Sequence, residues 1–459
     1  MKRWFAFVNG PGGAAELLKI AAPLIVSYAC DTIMMFTDRL FLSKLSGAHM
    51  SAAMSGGLTA FMLSTFFVGL IGYTTAMVAQ RLGAEKKERC AVITTQGLII
   101  AFAAYPVLLA LIPLGKIIFA ESGIDASQLD LQVGYFRILM YGSLIPLIRS
   151  SLGNFFSGIG RTRLVMLAAV ISMVTNVGLN YMLIFGKFGM PALGIRGAAI
   201  GTIAAGFVGI VVLFLAYLRK SNREEFGVSS SFIFDKPLMK ELWRLGMPSG
   251  AELFLNLLAF TAMITIFHGQ GIVVASSVTI TFNWDMVAFI PLLGINVGVT
   301  TLVGQYVGKK DLATANNAMK SGLLLACSYV IGLMILFVVS PGPLVELFKP
   351  EQHSAYWAQI YPLAVAMVEL ISVYLLADAV TIVFSGALRG AGDTFWTMVL
   401  SVAIHWGLAI LTLLCFYVFN QNAYTTWVAV ICVFCVLASA YMLRYYKGNW
   451  QEKALALEA

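Results

Sequence analysis

Long apolar stretches follow one another along the chain and are separated by short polar connectors. A helix needs about twenty apolar residues to cross the hydrocarbon core of a bilayer. The pattern therefore predicts twelve membrane-spanning helices, at residues 14–40, 50–80, 91–119, 131–157, 162–185, 195–219, 241–268, 272–306, 317–340, 355–387, 394–419 and 424–446.

The longest polar interruption lies between the sixth and seventh predicted spans and reads RKSNREEFGVSSSFIFDKP, residues 219–237. It divides the chain into an N-terminal six-helix lobe over 1–218, a linker over 219–240 and a C-terminal six-helix lobe over 241–459. The other connectors are too short to hold a soluble catalytic or nucleotide-binding domain.

Composition supports an all-α integral membrane protein. Hydrophobic residues make up 59% of the chain and charged residues only 11%, whereas soluble chains carry about a quarter charged residues. The six cysteines follow no metal-binding or disulfide pattern, and neither a nucleophile–base pair nor a Walker A loop is found. We therefore expect a protein that is not an enzyme and needs no cofactor.

The basic residues are distributed unevenly between the two sides of the predicted spans. The termini, the linker and every second connector hold 22 of the 30 lysines and arginines. Because basic connectors stay in the cytoplasm, we expect both termini and the linker to be cytoplasmic, in a cell inner membrane. The net charge of +8 is explained by this topology, so we expect no nucleic-acid partner.

The two lobes repeat one another in sequence. ELLKIAAP at 16–23 matches ELWRLGMP at 241–248, and QRLGAEKKE at 80–88 matches QYVGKKD at 305–311, both at an offset of 225 residues. SGIGRTRLVM at 157–166 matches RGAGDTFWTM at 389–398 at an offset of 232. Two bundles of six helices are therefore predicted to be related by an axis along the membrane normal, as in many secondary transporters.

The same stretches carry a family resemblance. GIGRTRLVM with NVGLNYMLIFGKFGMPALGIRGAAIGT (158–202) and ADAVTIVFSGALRGAGDT (377–394) resemble the multidrug and toxic compound extrusion (MATE) family, nearer its NorM-like branch. The resemblance covers about 14–446 and implies two bundles with a cleft between them. It further implies export of small hydrophobic cations in exchange for Na⁺ or H⁺ by alternating access, and we expect a monomer in the bilayer.

A flippase or a specific metabolite exporter of the same superfamily is the alternative function. A flippase for sugar pyrophosphates should present a basic cavity, whereas the charges within the predicted spans are mainly acidic. Arg137 and Arg149, both in the fourth span, are the exceptions.

Acids within apolar helices are costly and usually serve function. In the first span, Asp31 and Asp38 are seven residues apart and therefore share a helix face. The resemblance matches Asp38 to the first-helix aspartate of the family, although Arg39 could instead hold it in a structural ion pair. Asp31 is either a second titrating site or a buried hydrogen-bond acceptor.

In the second lobe, the resemblance matches Asp378 to the tenth-helix aspartate of the family, and Tyr374 precedes it by one turn. The family's seventh-helix glutamate aligns with Asn256, and here the acid lies one turn earlier, at Glu252. Oxygens from these four side chains would suit Na⁺, which we favour over H⁺ as the coupling ion. Asp285 is an additional acid that the resemblance does not require.

Seven residues are accordingly predicted to couple transport to an ion or proton: Asp31, Asp38, Glu252, Asn256, Asp285, Tyr374 and Asp378. Three acids are also predicted to bind substrate: Asp38, Glu252 and Asp378. The predicted ligands of a bound Na⁺ are Glu252, Tyr374 and Asp378.

Overall fold

The computed structural model describes residues 7–121, 126–349, 356–448 and 450–451, and within these ranges it contains helices and no β-strand. The helices are α1 (Ala14–Ser43), α2 (Gly47–Gly72), α3 (Thr74–Gly83), α4 (Lys87–Ala110), α5 (Ile112–Ala120), α6 (Ala126–Tyr141), α7 (Leu144–Gly158), α8 (Thr162–Phe185), α9 (Ile195–Tyr217), α10 (Lys220–Phe226), α11 (Lys236–His268), α12 (Ile272–Gly308), α13 (Leu312–Val339), α14 (Pro341–Glu346), α15 (Trp357–Gly390), α16 (Thr394–Tyr417) and α17 (Ala423–Lys447).

The helices confirm the predicted spans. Among the described residues, 11 continuous helical segments are long and apolar enough to cross a bilayer. The pair α6 and α7, bent by 45° at its break, raises the number to 12. Helices α2 and α3 together form one span, Gly47–Gly83, and α4 and α5 form another, Lys87–Ala120. The fold is therefore the all-α membrane architecture that the hydrophobic pattern predicts.

Helix ends follow from local side-chain chemistry. Asp311 and Asn422 precede α13 and α17, and each side chain accepts a hydrogen bond from a backbone N–H of the first turn. Ser46 does the same for α2. These contacts satisfy N–H groups that have no partner within the helix. After α8, Gly186 adopts φ 67°, a left-handed conformation that glycine tolerates well.

The sequence repeat is also a structural repeat. The span Gly47–Gly83 and helix α12 (Ile272–Gly308) both contain 37 residues, and their ends are 225 positions apart. Helices α8 (Thr162–Phe185) and α16 (Thr394–Tyr417) both contain 24 residues, at an offset of 232. The two bundles are therefore built on one scaffold, as predicted.

Even the turns of the two repeats match. Glu85 and Lys310, 225 positions apart, both have φ 61°, which is uncommon for a residue with a side chain. In each turn a backbone N–H closes on a carbonyl five residues earlier, from Lys86 to Arg81 and from Asp311 to Tyr306, both at 2.9 Å. Because the same strained turn occurs in both repeats, positions 81 and 306 are structurally equivalent.

The chain folds into two compact units, whose boundaries differ from those of the predicted lobes. The N-terminal unit comprises Ala22–Phe254, and the C-terminal unit comprises Leu255–Ala459 together with Met1–Ala21. Helix α1 thus begins in the C-terminal unit and continues in the N-terminal unit, whereas α11 does the reverse. The lobes 1–218 and 241–459 describe the repeat in the sequence and remain a prediction.

The linker packs on the N-terminal unit. Phe226 is buried, with its ring 5.3 Å from that of Phe155. Glu225 forms ion pairs with Lys87 at 3.0 Å and Arg161 at 2.5 Å. The hydrogen bonds from Lys87 and then Arg161 lower the pKa of Glu225, so its stabilising effect is present at neutral pH and is lost as the pH falls through that lowered value.

Replacing Glu225 by Gln should loosen the linker. The variant loses two partly exposed ion pairs, each worth about 0.2–1 kcal/mol, so tryptic cleavage within 219–223 should become roughly two- to fivefold faster in detergent at neutral pH. Glu224→Gln is the control, because its side chain is 68% exposed and its partner Lys220 lies 3.7 Å away. Equal cleavage rates for both variants would contradict a role of Glu225 in holding the linker.

Candidate functional site

A buried polar cluster surrounds Asp38 in the N-terminal unit. Asp38 in α1 is 7% exposed and accepts a hydrogen bond from Asn180 of α8 and another, of 3.0 Å, from Thr202 of α9. Asn176, one turn before Asn180, donates to the Thr202 hydroxyl at 3.3 Å. Three helices thus hold one carboxylate through neutral groups.

The hydrogen-bond donors to Asp38 are neutral groups and not Arg39, so the predicted alternative of a structural ion pair has no support in these contacts. Hydrogen bonds to a carboxylate favour its ionised form, whereas burial disfavours it. A buried carboxylate that is held only by neutral donors can accept a proton or a cation without first breaking an ion pair. These are properties that a coupling site needs.

Asp31 has different surroundings, although it lies on the same face of α1. Its carboxylate pairs with Arg149 of α7 at 2.9 Å, and its side chain is 41% exposed. Arg149, one of the two arginines that could have indicated an anionic substrate, therefore has an acidic partner. The structure does not bring Asp31 into the hydrogen-bonded cluster of Asp38.

A second acidic cluster lies in the C-terminal unit. Tyr374 of α15 donates a hydrogen bond to Asp285 of α12, and Asp378 of α15 lies close enough to Asp285 for their charges to interact. Both carboxylates are 7% exposed. One oxygen of each has no hydrogen-bond partner among the described residues. Two neighbouring buried carboxylates repel when both are ionised, so this pair favours the uptake of a proton or a cation.

A small cavity adjoins Asp285 and Tyr374. Its volume of about 10 Å³ is room for about one water molecule. The Tyr374 ring packs on Phe434 with 4.4 Å between ring centroids. Apart from the acid and the phenol, the lining is apolar and largely aromatic: Phe282, Asp285, Ile371, Tyr374, Trp427, Val430, Ile431 and Phe434. This cavity can admit a small ion or a water molecule but not an organic substrate.

The remaining predicted ion-coupling residues of the second repeat, Asn256 and Glu252, belong to different units. Asn256, half-buried in the C-terminal unit, donates from its amide to Ser401 at 2.8 Å. Glu252 is 3% exposed and belongs to the N-terminal unit, whereas Tyr374 and Asp378 belong to the C-terminal unit. The predicted Na⁺ site of these four residues is therefore not assembled within one unit and stays a prediction. Within the described part of the chain, no group of three or more His, Cys, Asp or Glu residues could hold a metal ion.

The sequence reasoning missed several polar partners of the acids. Asn176, Asn180 and Thr202 lie inside the stretch that carries the family resemblance, but they were not predicted as site residues. Their signal is an i,i+4 pair of asparagines in an otherwise apolar helix, which places two buried amides on one face. The hydrogen bond between Tyr374 and Asp285 could not be predicted, because these residues lie in helices that meet only in the folded chain.

The fold and the paired acidic clusters are those of a membrane transporter made of two repeats. The family model described as MatE matches residues 23–182 and 248–413, and the chain belongs to this family of transporters. The two matches begin 225 residues apart, at Pro23 and Pro248, which is the offset found within the sequence.

Relatives agree with this assignment. "Probable multidrug resistance protein NorM" of Thermotoga maritima is 25% identical over 448 residues, covering 96% of this chain and 94% of its own. Among solved structures, a MOP superfamily transporter from Pyrococcus furiosus is 17% identical with a TM-score of 0.86, covering 99% of this chain and 98% of that chain. The eukaryotic MATE transporter AtDTX14 is 20% identical with a TM-score of 0.84, covering 96% and 97%. The protein is thus a multi-pass membrane transporter of the MatE family.

Replacing Asp285 by Asn should stabilise the protein at alkaline pH. The amide keeps an oxygen that accepts from Tyr374, and it removes the repulsion from Asp378. We expect the melting temperature in detergent at pH 8 to rise by roughly 2–4 °C. Asp31→Asn is the control, since it breaks an attractive ion pair with Arg149 and should lower the melting temperature or leave it unchanged. A lower melting temperature for Asp285→Asn would contradict the repulsive pair.

Proposed function

We propose that the protein is a secondary active multidrug exporter that expels hydrophobic organic cations in exchange for an inward-moving ion. The observation that carries this proposal is the presence, in each unit, of buried carboxylates on membrane-spanning helices: Asp38 in one unit, Asp285 and Asp378 in the other. Acids in such positions are costly, and in transporters they commonly bind ions, protons or charged substrates. The NorM relative is itself described as a multidrug resistance protein.

The sign of the buried charge favours a cationic substrate. Apart from helix-end ion pairs that involve Arg81 and Asp393, the buried charged residues among those described are four acids: Asp38, Glu252, Asp285 and Asp378. The Pyrococcus furiosus neighbour is described as having a binding pocket of reverse polarity that suggests a different function. Of the two arginines in the fourth predicted span, Arg149 is paired with Asp31 and Arg137 is exposed, so neither is a buried charge without a counter-charge. A flippase or a specific metabolite exporter is the alternative that transport assays must test.

The acid pair of the C-terminal unit is the candidate coupling site. A Na⁺ ion needs several oxygens around it, whereas a proton needs only one carboxylate. Among the described contacts of the pair Asp285 and Asp378, the Tyr374 hydroxyl supplies the additional oxygen. These contacts favour a proton shared by the pair. Coupling to Na⁺ through Glu252 and Asp378 is the competing proposal, and it was the one favoured from the sequence.

Transport by proteoliposomes tests both the function and the ion. We expect the purified protein to expel a hydrophobic cationic dye when a pH gradient is imposed, and a Na⁺ gradient at fixed pH to have no effect. Asp378→Asn and Asp38→Asn should each reduce gradient-driven export at least tenfold, because an amide cannot take up a proton or carry a charge. Glu369→Gln, an exposed residue on the same helix as Asp378, should export like the wild type.

Three outcomes would contradict this proposal. Export driven by a Na⁺ gradient alone would show that the coupling ion is Na⁺ and not the proton. Transport of an anion or a sugar compound but of no cation would favour the alternative function. Wild-type export by Asp38→Asn, with normal folding, would leave the N-terminal cluster with a structural role.

The topology can be tested separately. We propose that the linker and both termini are cytoplasmic, in a cell inner membrane. In a cysteine-free background, Ser229→Cys in the linker should react with an impermeant thiol reagent only after permeabilisation, because Ser229 is exposed on the proposed inner side. Phe188→Cys, 85% exposed between α8 and α9, should react in intact cells. The reverse pattern would invert the proposed orientation.

A further inference from the structure

The two glutamates that open the sequence repeat make equivalent contacts. In the C-terminal unit, the Tyr306 hydroxyl donates to Glu16 at 3.0 Å. In the N-terminal unit, Arg81 donates to Glu241 at 2.7 Å. The glutamates are 225 positions apart, and so are their partners. The same pair of positions therefore meets twice, once through a phenol and once through a guanidinium group.

Each pair joins residues from different repeats. Glu16 belongs to the first repeat and Tyr306 to the second, yet both lie in the C-terminal unit. Glu241 belongs to the second repeat and Arg81 to the first, yet both lie in the N-terminal unit. Each repeat has thus placed the beginning of its first helix in the unit formed mainly by the other repeat.

The beginnings of these two helices, α1 and α11, are also closely packed against the backbone of the unit that holds them. In the C-terminal unit, a Cβ atom placed on Gly298 would lie 3.1 Å from the Cβ of Ala21 and 3.1 Å from a methyl carbon of Leu17. In the N-terminal unit, a Cβ on Gly246 would lie 2.7 Å from the carbonyl oxygen of Leu70. Position 246 is the repeat equivalent of position 21. The start of α1 is therefore packed against α12, and the start of α11 against the span Gly47–Gly83, in addition to the side-chain contact of each glutamate.

We propose that Glu16–Tyr306 and Glu241–Arg81 are two equivalent anchors that stay closed throughout transport and attach the start of α1 and of α11 to the unit of the other repeat. Any rearrangement between the units is then absorbed within these two helices, beyond the anchored turns. The side chains of Arg81 and Glu241 are only 10% and 18% exposed, so breaking their contact would leave a largely buried charge unpaired, which is strongly destabilising.

The anchor of the C-terminal unit is reinforced by the backbone. Glu16 also accepts a hydrogen bond of 2.7 Å from the N–H of Gly12, and the carbonyl of Gly12 accepts one of 2.8 Å from Ser321. A neutral phenol alone gives a weaker hydrogen bond to a carboxylate than a guanidinium group does. These additional bonds compensate for the weaker donor at position 306.

The equivalence of positions 81 and 306 makes a specific prediction about substitutions there. If positions 81 and 306 serve one role, an arginine should be accepted at 306 and a tyrosine at 81 should keep part of the stability, because each already bonds a glutamate in the other unit. A phenylalanine, which differs from tyrosine by one hydroxyl group, should fail at both. The test set is therefore Arg81→Tyr, Arg81→Phe, Tyr306→Arg and Tyr306→Phe.

We expect the two phenylalanine variants to melt at least roughly 3 °C below the wild type in detergent and Tyr306→Arg to melt within about 1 °C of it. Arg81→Tyr should melt between Arg81→Phe and the wild type, because the phenol is the weaker donor and Glu241 does not receive the backbone bond that supports Glu16. Transport of a dye that the wild type has been shown to export should follow the same order. Equal behaviour of Tyr and Phe at position 81 would overturn the proposed equivalence.

A disulfide tests whether the anchored turns stay in place. The distance of 3.1 Å between the Ala21 Cβ and a Cβ on Gly298 is near the 3.5–4.5 Å usual for a disulfide, so Ala21→Cys with Gly298→Cys can be oxidised after a small adjustment. In a cysteine-free background, the oxidised protein should transport at the rate of the reduced protein. Transport that appears only after reduction would show that the anchored segment must separate, and would overturn the proposal.

The two experiments are independent of each other and of the coupling ion. If the reduced double-cysteine protein fails to fold, the comparison of Tyr with Phe at positions 81 and 306 still decides the matter by melting temperature alone. A failure of these variants with intact dye export by the wild type would refute the anchors but leave the proposed function in place.

Discussion

A carboxylate buried in an apolar helix must obtain hydrogen bonds or a counter-charge from other helices, and this constraint shapes both units. In the N-terminal unit, Asp38 is held by Asn180 and Thr202, so three helices converge on one acid. In the C-terminal unit, Asp285 and Asp378 lie close enough for their charges to interact, with Tyr374 as the donor to Asp285. The first arrangement satisfies a charge with neutral dipoles, whereas the second leaves a charge to be neutralised by an incoming proton or cation.

Charged groups near the helix ends behave differently from these acids. Arg444 contacts Asp393 at 2.6 Å, and Arg81 contacts Glu241 at 2.7 Å. Each pair neutralises itself and fixes two segments of chain relative to each other. The contrast separates structural ion pairs from Asp38, Asp285 and Asp378, whose contacts among the described residues include no salt bridge, so a change of their charge would break no ion pair.

The spans, the repeat and the presence of acids within apolar helices could be predicted from the sequence, because apolar length and repeat spacing are local properties. The partners of the acids could not be predicted in the same way. Asn180 reaches Asp38 across 142 positions, and Tyr374 of α15 bonds Asp285 of α12. Such pairings depend on helix rotation and on contacts between distant segments, which hydrophobic periodicity does not encode.

The sequence pattern does not indicate where one compact unit ends and the other begins, for a physical reason. The linker at 219–237 is the most polar interruption, yet a polar connector does not determine where the packing of a helix changes from one unit to the other. Helix α1 changes unit after Ala21, and α11 changes after Phe254, both within continuous apolar segments. In the sequence, this exchange of helix ends is visible as the repeated glutamates Glu16 and Glu241, whose partners Tyr306 and Arg81 also stand at equivalent positions of the repeat.

The acids of the two units lie on different kinds of helix, because α1 and α11 each belong to both units whereas α12 and α15 each belong to one. Asp38 and Glu252 lie on α1 and α11, the helices that pass from one unit to the other. Asp285 and Asp378 lie on α12 and α15, which belong wholly to the C-terminal unit. An acid on a crossing helix changes its neighbours when that helix bends, whereas a pair on two non-crossing helices keeps its geometry. A fixed pair suits a small ion or a proton, whose binding depends on short distances. Acids with variable surroundings suit organic cations of different shapes, so a duplicated scaffold with unequal acids can assign the ion to one unit and the substrate to the other.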